Sequence, residues 1–534
     1  MKILFYSPFS GIWKHAVADF QIKKSLARYA QVIDIDCDGF FAELCTVMNM
    51  KKLSLQSTKD EKQLVCLNCK KNSSITKHDK IFRFTPSKEI FYEKDVLALQ
   101  NQIQHMNLSD LRNFHYLGVN IGKISLFETI IKYKKNDFNL KSEEINFYKI
   151  KVLHAAKSTL IAKEVISKFN PTHVVIFNPQ YSIPGAFASY CEIHGIPVYG
   201  INFSYNFNEI SRAVSIWNWN TFKLNSPALH KWKENRVESS KKEINRAKKH
   251  SLASSSANTS YAYSLKQSNR SAREFFGIPV NHKIVLLAMS SYDEMFANGS
   301  AGLTNFTAYE SEVFSNQLEW VAETIKFFAN QKDITLVIRP HPREFPNNRD
   351  TVLSAHVAEW QKVLLNLPGH IKLDVPDLKF SVYDYFDEIV AVITGWSSVG
   401  FEAMQNGIPC VSYDEKIVDF PKSIHFSGSS RDEYFQNITL AINNGPNNII
   451  SKEANEWFAF AFSRGTIRIS GLLQDFKIFR FSHRTTWLAK YISFKLPSFS
   501  KKLETTFGKI NRQDIKKLMD MLELSKDTLF EEKS

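Results

Sequence analysis

No apolar run in this chain of 534 residues reaches the roughly 18 to 20 residues that a membrane-spanning helix needs. The apolar opening Ile3-Leu4-Phe5-Tyr6 is brief and soon meets Lys14 and His15, so it reads as a first core strand and not as a signal peptide. The cytoplasm is the expected compartment. Cysteine is scarce, six in all, and in that compartment thiols stay reduced, which sets disulfides aside. The loop Ser7-Pro8-Phe9-Ser10-Gly11 is not a dinucleotide fingerprint. No nucleic-acid recognition motif accompanies the basic charge of the chain, and nucleic acid is not expected as a partner.

What is present is a globular composition, 44% hydrophobic and 13% aromatic, on a length that exceeds one core. Two domains are expected, with an N-terminal Rossmann-like domain over residues 1–228 and a second over 271–463. A Lys-rich helix and a Ser-rich flexible linker fill 229–270, and C-terminal helices fill 464–534. Net charge is +14, and much of the excess falls between Arg464 and Arg512, where eleven Lys or Arg stand against Asp475 and Glu504. The same stretch carries Phe476, Phe479, Phe481, Trp487, Tyr491, Phe494 and Phe499. Basic residues interleaved with aromatics suit an anionic membrane surface, while a helix folded back on the body with its charges solvated is the alternative.

Residues 334–414 organise the rest. Ile334-Thr335-Leu336-Val337-Ile338 runs into Arg339-Pro340-His341-Pro342-Arg343-Glu344, and Ile389-Val390-Ala391-Val392-Ile393-Thr394 runs into Gly395-Trp396-Ser397-Ser398. Continuous β-branched runs read as parallel strands covered on both faces, and ligands of such sheets sit beyond the carboxyl ends of the strands. Serine hydroxyls beside the unpaired N–H groups of a helix start form an anion site. An earlier strand, Lys283 to Met289, ends at Ser290 and Ser291, also placed to touch phosphate, with Asp293 and Glu294 following as hydroxyl-orienting or helix-capping acids. Arg339 and Arg343 suit phosphate or carboxylate, with surface charge as the plain reading. Glu402, one turn into the helix after Ser398, is placed to accept from ribose hydroxyls or to complement the helix dipole.

The ordered set Arg-Pro-His-Pro-Arg-Glu, Thr-Gly-Trp-Ser-Ser-Val-Gly-Phe-Glu-Ala and Gly-Ile-Pro resembles that of bacterial capsule and lipopolysaccharide glycosyltransferases of the two-Rossmann GT-B type that use CMP-sugars, among them Kdo transferases and sialyltransferases. The resemblance covers the C-terminal half well and the N-terminal half in architecture. It implies two Rossmann-like domains facing a cleft, a CMP-sugar donor over the second domain, and a saccharide or lipid-linked saccharide acceptor. It assigns His341 and the Ser397/Ser398 helix start to the leaving phosphate, and places the protein in the cytoplasm, peripheral to the inner membrane. No Asp-x-Asp metal motif stands where one would be expected, so metal-free transfer follows. A CDP-glycerol or CDP-ribitol phosphotransferase shares such features, a nucleotide-sugar epimerase shares the two-domain body, and a basic binding protein is the non-enzyme reading.

In the first domain, β–loop–α–β over Met1 to Ile35 is a Rossmann opening. The resemblance puts the acceptor-activating base near its first loop. His15 and Asp19, at i and i+4, share a helix face, and a carboxylate can orient an imidazole as general base. The plain alternative is a surface pair. Asn178, Tyr181 and Asn202 fall at the ends of the strands 173–177 and 196–201, where neutral donors and acceptors hold a hydroxyl-rich acceptor. Cys37, Cys45, Cys66 and Cys69 gather in an excursion over 37–80, whose 50–80 part reads as irregular and exposed. A structural zinc and unliganded thiols are the two readings.

Overall fold

Short β-branched runs bounded by Gly, Asn or Ser become parallel strands in both halves of the chain, and the amphipathic stretches between them become helices. The structure, a computed structural model, describes all residues but 87–93, 204–212, 224–225, 235–237, 256–262, 264, 305–310, 348–349, 473–495 and 531–534. Two units emerge. The first comprises Met1–Thr129, Leu140–Asn225 and Gly465–Glu531, the second Ile130–Asn139, Ser226–Arg464 and Glu532–Ser534.

The first unit opens with β1 (Lys2–Tyr6), β2 (Gln31–Ile35), β3 (Ile81–Phe84), β4 (His173–Phe177), β5 (Val198–Phe203) and β6 (Ala213–Asn218). The second carries β7 (Lys283–Ala288), β8 (Ile334–Arg339), β9 (Ile371–Leu373), β10 (Ile389–Thr394), β11 (Cys410–Ser412) and β12 (Phe426–Ser427). The chain then returns to the first sheet with β13 (Thr466–Ser470) and β14 (Lys509–Ile510). The sheet orders are β14-β13-β6-β5-β4-β1-β2-β3 and β12-β11-β10-β7-β8-β9. Pairing throughout the second sheet is parallel. In the first, β3-β2-β1-β4-β5 are parallel and the remaining strands antiparallel. Both units thus contain the doubly wound order, which reverses between β1 and β4 in one and between β7 and β10 in the other. The expected α/β class with two Rossmann-like units is what the chain forms.

β8 is buried at every position and β10 at all but one, as strands with helices on both faces require. The helix Gln317–Ala329 starts where Asn316 accepts from the N–H groups of Leu318 and Glu319, and the helix Ser398–Gln405 starts where Ser397 accepts from Val399. Gly407 ends the latter at φ +84, and a Cβ there would lie 2.7 Å from the Asn447 carbonyl, so that stop needs glycine twice over.

Four sequence expectations change. The 50–80 stretch is not irregular, because Thr58 and Glu61 form a capping box that starts a helix over Lys59–Ile75. The Ser-rich part of 229–270 is partly helical, Lys241–Ser255, with Ala247 packed on Phe458 and Ala459. Within the expected first domain, Ile130–Asn139 belongs to the second unit: Lys134, buried, donates to the carbonyls of Phe345 and Val352 at 3.1 and 2.6 Å and pairs with Asp350. The C-terminal stretch, expected as helices, adds β13 and β14 as well as the helices Pro497–Phe507 and Arg512–Glu523. Ile467, Ile469, Ile515, Leu518 and Leu522 lie in the same apolar cluster as Ile3 and Phe5. The aromatics from Phe476 to Phe494 lie outside the described residues.

Candidate functional site

Register alone brings three loops of the second unit together. Arg339, Ala288 and Thr394 are direct neighbours across β8, β7 and β10, so the loops starting at Met289, Pro340 and Gly395 leave the sheet from one row about 10 Å wide. This is the carboxyl edge at the point where strand order reverses. Hydrogen bonds fasten the loops. Trp396 N–H donates to Ser290 Oγ at 2.9 Å, Thr394 Oγ1 donates to the Ala288 carbonyl at 3.1 Å, and Met289 N–H donates to the Arg339 carbonyl at 2.9 Å. The fully buried Gln317 clamps Ser290 from both sides, accepting from its N–H at 2.7 Å and donating to its carbonyl at 3.1 Å.

His341 caps the short 3-10 turn Pro342–Glu344, and Pro342, which has no N–H to offer, sits at the first position of that turn. The Nδ1 of His341 accepts from Arg343 N–H at 3.2 Å. With Nδ1 acting as acceptor, the neutral ring carries its proton on Nε2 and presents a donor there. Burial lowers the pKa of the ring, against an upward pull from Glu294 and Glu344. Glu344 anchors the turn: its carboxylate accepts from Trp360 Nε1 at 2.9 Å and lies 3.1 Å from His356 Nδ1.

Arg339 and Arg343 are both buried and both already paired. Arg339 forms an ion pair with Asp374, which also accepts from Tyr385 OH at 2.8 Å. Arg343 Nε lies 3.2 and 3.1 Å from the two Asp293 oxygens, and its Nη2 lies 2.7 Å from Oδ2. Its Nη2 also donates to the Ile131 carbonyl at 3.0 Å and its Nη1 to Tyr263 OH at 3.3 Å. A buried guanidinium requires such a carboxylate, so the two arginines brace the loop from beneath. Ser291 donates to Glu294, which leaves the hydroxyls of Ser290 and Ser291 within the loop framework.

Ser397 spends its hydroxyl on the Val399 N–H, at 3.4 Å, while Ser398 is exposed at the first helical position. Burial pushes the pKa of the Glu402 carboxyl up to about 7, against a downward pull from Tyr383 and Ser398. Gly395 and Gly400 are glycines for reasons of space. A Cβ at Gly395 would lie 3.3 Å from Ser290 Oγ and from Tyr413 Cε1, and one at Gly400 would lie 2.7 Å from Cys410 Sγ and Thr394 Cγ2.

Further polar groups gather at this edge. Trp396 Nε1, Tyr413 OH and Ser427 Oγ are buried atoms with no partner among the described residues. They follow or end β10, β11 and β12, whose register aligns Thr394, Ser412 and Ser427. Asp419, in the loop between β11 and β12, has no hydrogen-bond or ion-pair partner among the described residues, and burial pushes it up to about 8. Orphaned polar atoms of this kind mark places where a polar ligand completes the bonding. No residue pattern in the sequence announces them. Asp384, which has no role here, accepts from Ser268 and Asn269 and ties the preceding segment to the unit.

In the first unit, His15 lies at the β1/β4 reversal, its ring stacked on Phe177 with centroids 4.3 Å apart, and burial pushes its pKa down to about 4. Asp19 is buried and forms an ion pair with Lys23, with Ser7 Oγ donating to it at 3.3 Å, so its carboxylate is committed to these partners. Asn178 adopts φ 49 at the end of β4, and its Oδ1 and the Oε1 of Gln180 are buried without a partner among the described residues. The ring of Tyr181 packs edge-on to Phe127 at 5.4 Å. Asn202 lies within β5, where its carbonyl accepts from Ser215 Oγ at 3.4 Å. Cys37, Cys45, Cys66 and Cys69 are reduced. Burial pushes the Cys37 and Cys69 thiols up to about 12. Among the described residues, no group of three or more His, Cys, Asp or Glu side chains is placed to hold a metal ion.

No protein-family model matches the chain, and no curated protein matches it. Solved structures do. KpsC of Thermosulfurimonas dismutans, a beta Kdo 2,4 transferase, aligns at 12% identity and TM-score 0.35 over 58% of this chain and 88% of its own. The UDP-GlcNAc 2-epimerase from Neisseria meningitidis bound to UDP-GlcNAc aligns at 12% and 0.29 over 87% of this chain and 96% of its own. The glycosyltransferase SnogD from Streptomyces nogalater aligns at 9% and 0.26 over 87% and 95%. At such values these are likenesses of α/β architecture, and donor and reaction are left to the chemistry of the site.

Proposed function

We propose that the chain is a glycosyltransferase that moves a sugar, a nonulosonic acid such as Kdo or a sialic-acid-like sugar, from a CMP-activated donor to a growing surface-polysaccharide acceptor. One observation carries the reading: the Ser290, His341 and Ser397/Ser398 loops leave a doubly wound sheet from a single row at its reversal point. The choice of a cytidylate rests on the resemblance of the His-Pro and Ser-Ser motifs.

In this reading the phosphate of the leaving CMP lies over that row. The Nε2–H of His341 and the Ser398 N–H at the start of Ser398–Gln405 donate to it as its charge develops. Glu402 serves the ribose hydroxyls. The orphaned Trp396 Nε1 and Tyr413 OH, with Asp419, meet polar groups of the nucleotide or sugar. These donors stabilise the leaving group, and transfer without a divalent cation is expected. His15 is the acceptor base, neutral at pH 7, and Asn178, Tyr181 and Asn202 bind the acceptor.

The test is a donor panel with and without acceptor glycan, read by CMP release and by thermal shift. CMP at about a hundredfold excess over its Kd adds roughly 2.7 kcal/mol of stability. CMP release from CMP-Kdo or a CMP-sialic acid, dependent on acceptor and surviving EDTA, is the expected result. Turnover of CDP-glycerol alone, or of UDP-GlcNAc without any acceptor, overturns the proposal.

A further inference from the structure

Tyr263, far from the His341 loop in sequence, lies against its imidazole. It stands in the segment that leads from the helix Lys241–Ser255 toward β7, and it belongs with His341 and Arg343 to the second unit. That segment is pinned just beyond it. Ser381 Oγ donates to the Leu265 carbonyl at 2.8 Å, and the Asp384 carboxylate takes the N–H groups of Ser268 and Asn269, each at 2.8 Å, and Ser268 Oγ at 2.6 Å. Tyr263 precedes the first of these ties by two residues, which keeps its backbone within roughly 7 Å of Leu265.

Two contacts join Tyr263 to the His341 turn. Its ring meets the imidazole in a T-shaped arrangement, with centroids 5.7 Å apart and an interplanar angle of 67°, and its hydroxyl accepts from Arg343 Nη1 at 3.3 Å. Arg343 in turn donates its backbone N–H to His341 Nδ1 at 3.2 Å. The three residues therefore close a circuit: Arg343 fixes the tautomer of the imidazole, and the phenol that its guanidinium tethers bounds the same ring from another side. Tyr263 and His341 are both half-buried, so the pair borders the open side of the loop row and is not packing beneath it. A contact of this kind adds little to the fold as a whole, yet it restricts the rotation of a ring that has one hydrogen to aim.

We propose that Tyr263 is a positioning residue for departure of the leaving group: it holds the His341 ring in the orientation that turns Nε2–H toward the phosphate. The phosphate in this inference rests on the CMP-sugar reading, whereas the tethered imidazole is independent of the donor.

Two variants and one cycle test it, each measured below its melting transition. Tyr263→Leu removes ring and hydroxyl, and Tyr263→Phe removes the hydroxyl alone. With the CMP-sugar that the donor panel selects, Tyr263→Leu is expected to lower kcat about tenfold or more while donor KM stays within about twofold, since a misaimed donor is missed where the phosphate charge develops. Tyr263→Phe keeps the wall beside the imidazole and recovers most of the rate. In the His341→Asn background Tyr263→Leu changes kcat by less than about twofold, because no imidazole is left to aim. A nitrogen-15 histidine spectrum, in which the His341 signals are those lost in His341→Asn, reads the ring directly. Wild type holds the Nε2–H tautomer, and Tyr263→Leu mixes the two. Losses that add in full in the double variant, or a wild-type kcat in Tyr263→Leu, overturn the proposal. If no CMP-sugar is turned over, the donor reading falls by itself: a tautomer shift in Tyr263→Leu then still sustains the positioning of the ring, and an unchanged tautomer overturns it.

Discussion

Trp396 donates its backbone N–H to Ser290 Oγ at 2.9 Å, so the loop after β10 is fastened to the loop after β7 by a side chain that Gln317 holds in place. Ser290→Ala removes the acceptor and leaves a part-buried N–H without a partner. A loss of about 1–3 kcal/mol in unfolding free energy is expected. Donor KM rises and acceptor KM is unchanged, as initial-rate kinetics would show.

His341 has two tasks that substitution can separate. Its Nδ1 caps the 3-10 turn, while its Nε2–H is read as the phosphate donor. Asn caps a helix start well but does not place a donor at the Nε2 position. His341→Asn is therefore expected to melt near wild type while kcat falls about a hundredfold or more. His341→Ala loses the cap as well, by about 1 kcal/mol. An Asn variant with wild-type kcat would remove His341 from the chemistry.

The Arg343–Asp293 pair is buried on both sides, with 9% and 1% of the side chains exposed. Asp293→Asn leaves the guanidinium only the half-exposed Glu294, 3.6 Å away, as counter-charge, and a loss at the lower end of about 3–5 kcal/mol is expected, measured by urea denaturation. Because Arg343 braces the turn that His341 caps, activity falls with stability, and a variant with intact stability would show that the pair is not a brace.

Glu402 sets a pH dependence. Its pKa rises on folding from 4.5 to about 7, so the folded state holds a proton that the unfolded state gives up. Its contribution to stability is complete below pH 4.5 and is lost as pH rises through 7. Asp419, raised to about 8, acts in the same direction. The difference between wild type and Glu402→Gln isolates the first group: the variant's melting temperature declines less between pH 4.5 and 7. Parallel melting curves across that window would show that Glu402 is ionised in the fold.

Gly400 sits where the helix Ser398–Gln405 touches the sheet, and an added methyl would lie 2.7 Å from Cys410 Sγ and Thr394 Cγ2. Gly400→Ala is expected to lose about 1–3 kcal/mol by overpacking, despite the better helix propensity of alanine. Paired with Cys410→Ala, part of the loss returns, which a double-mutant cycle by thermal denaturation would show.

The strands of the second unit and the Ser397 helix start were legible because each is a local pattern. Ile389 to Thr394 is a β-branched run closed by glycine, and Ser397 stands directly before a helical stretch. The helix Lys59–Ile75 has an equally local signal in its Thr58/Glu61 capping box, but the Lys, Ser and Asn around it give the pattern of a loop. For Arg339 and Arg343 the sequence offers only a ligand contact or surface charge, because their partners, Asp374 and Asp293, lie 35 and 50 residues away.

Local chemistry in the chain was enough to specify which runs become strands, where the helices begin, and that polar loops follow buried strands at residues 289, 340 and 395. These follow from propensity, capping and periodicity, which act over a few residues. Only the tertiary structure decided that residues 130–139 join the second unit, that β13 and β14 return to the first sheet, and that Phe499 and Phe507 point outward. Those outcomes depend on which apolar faces and buried charges meet across hundreds of residues, and no spacing along the chain encodes that choice.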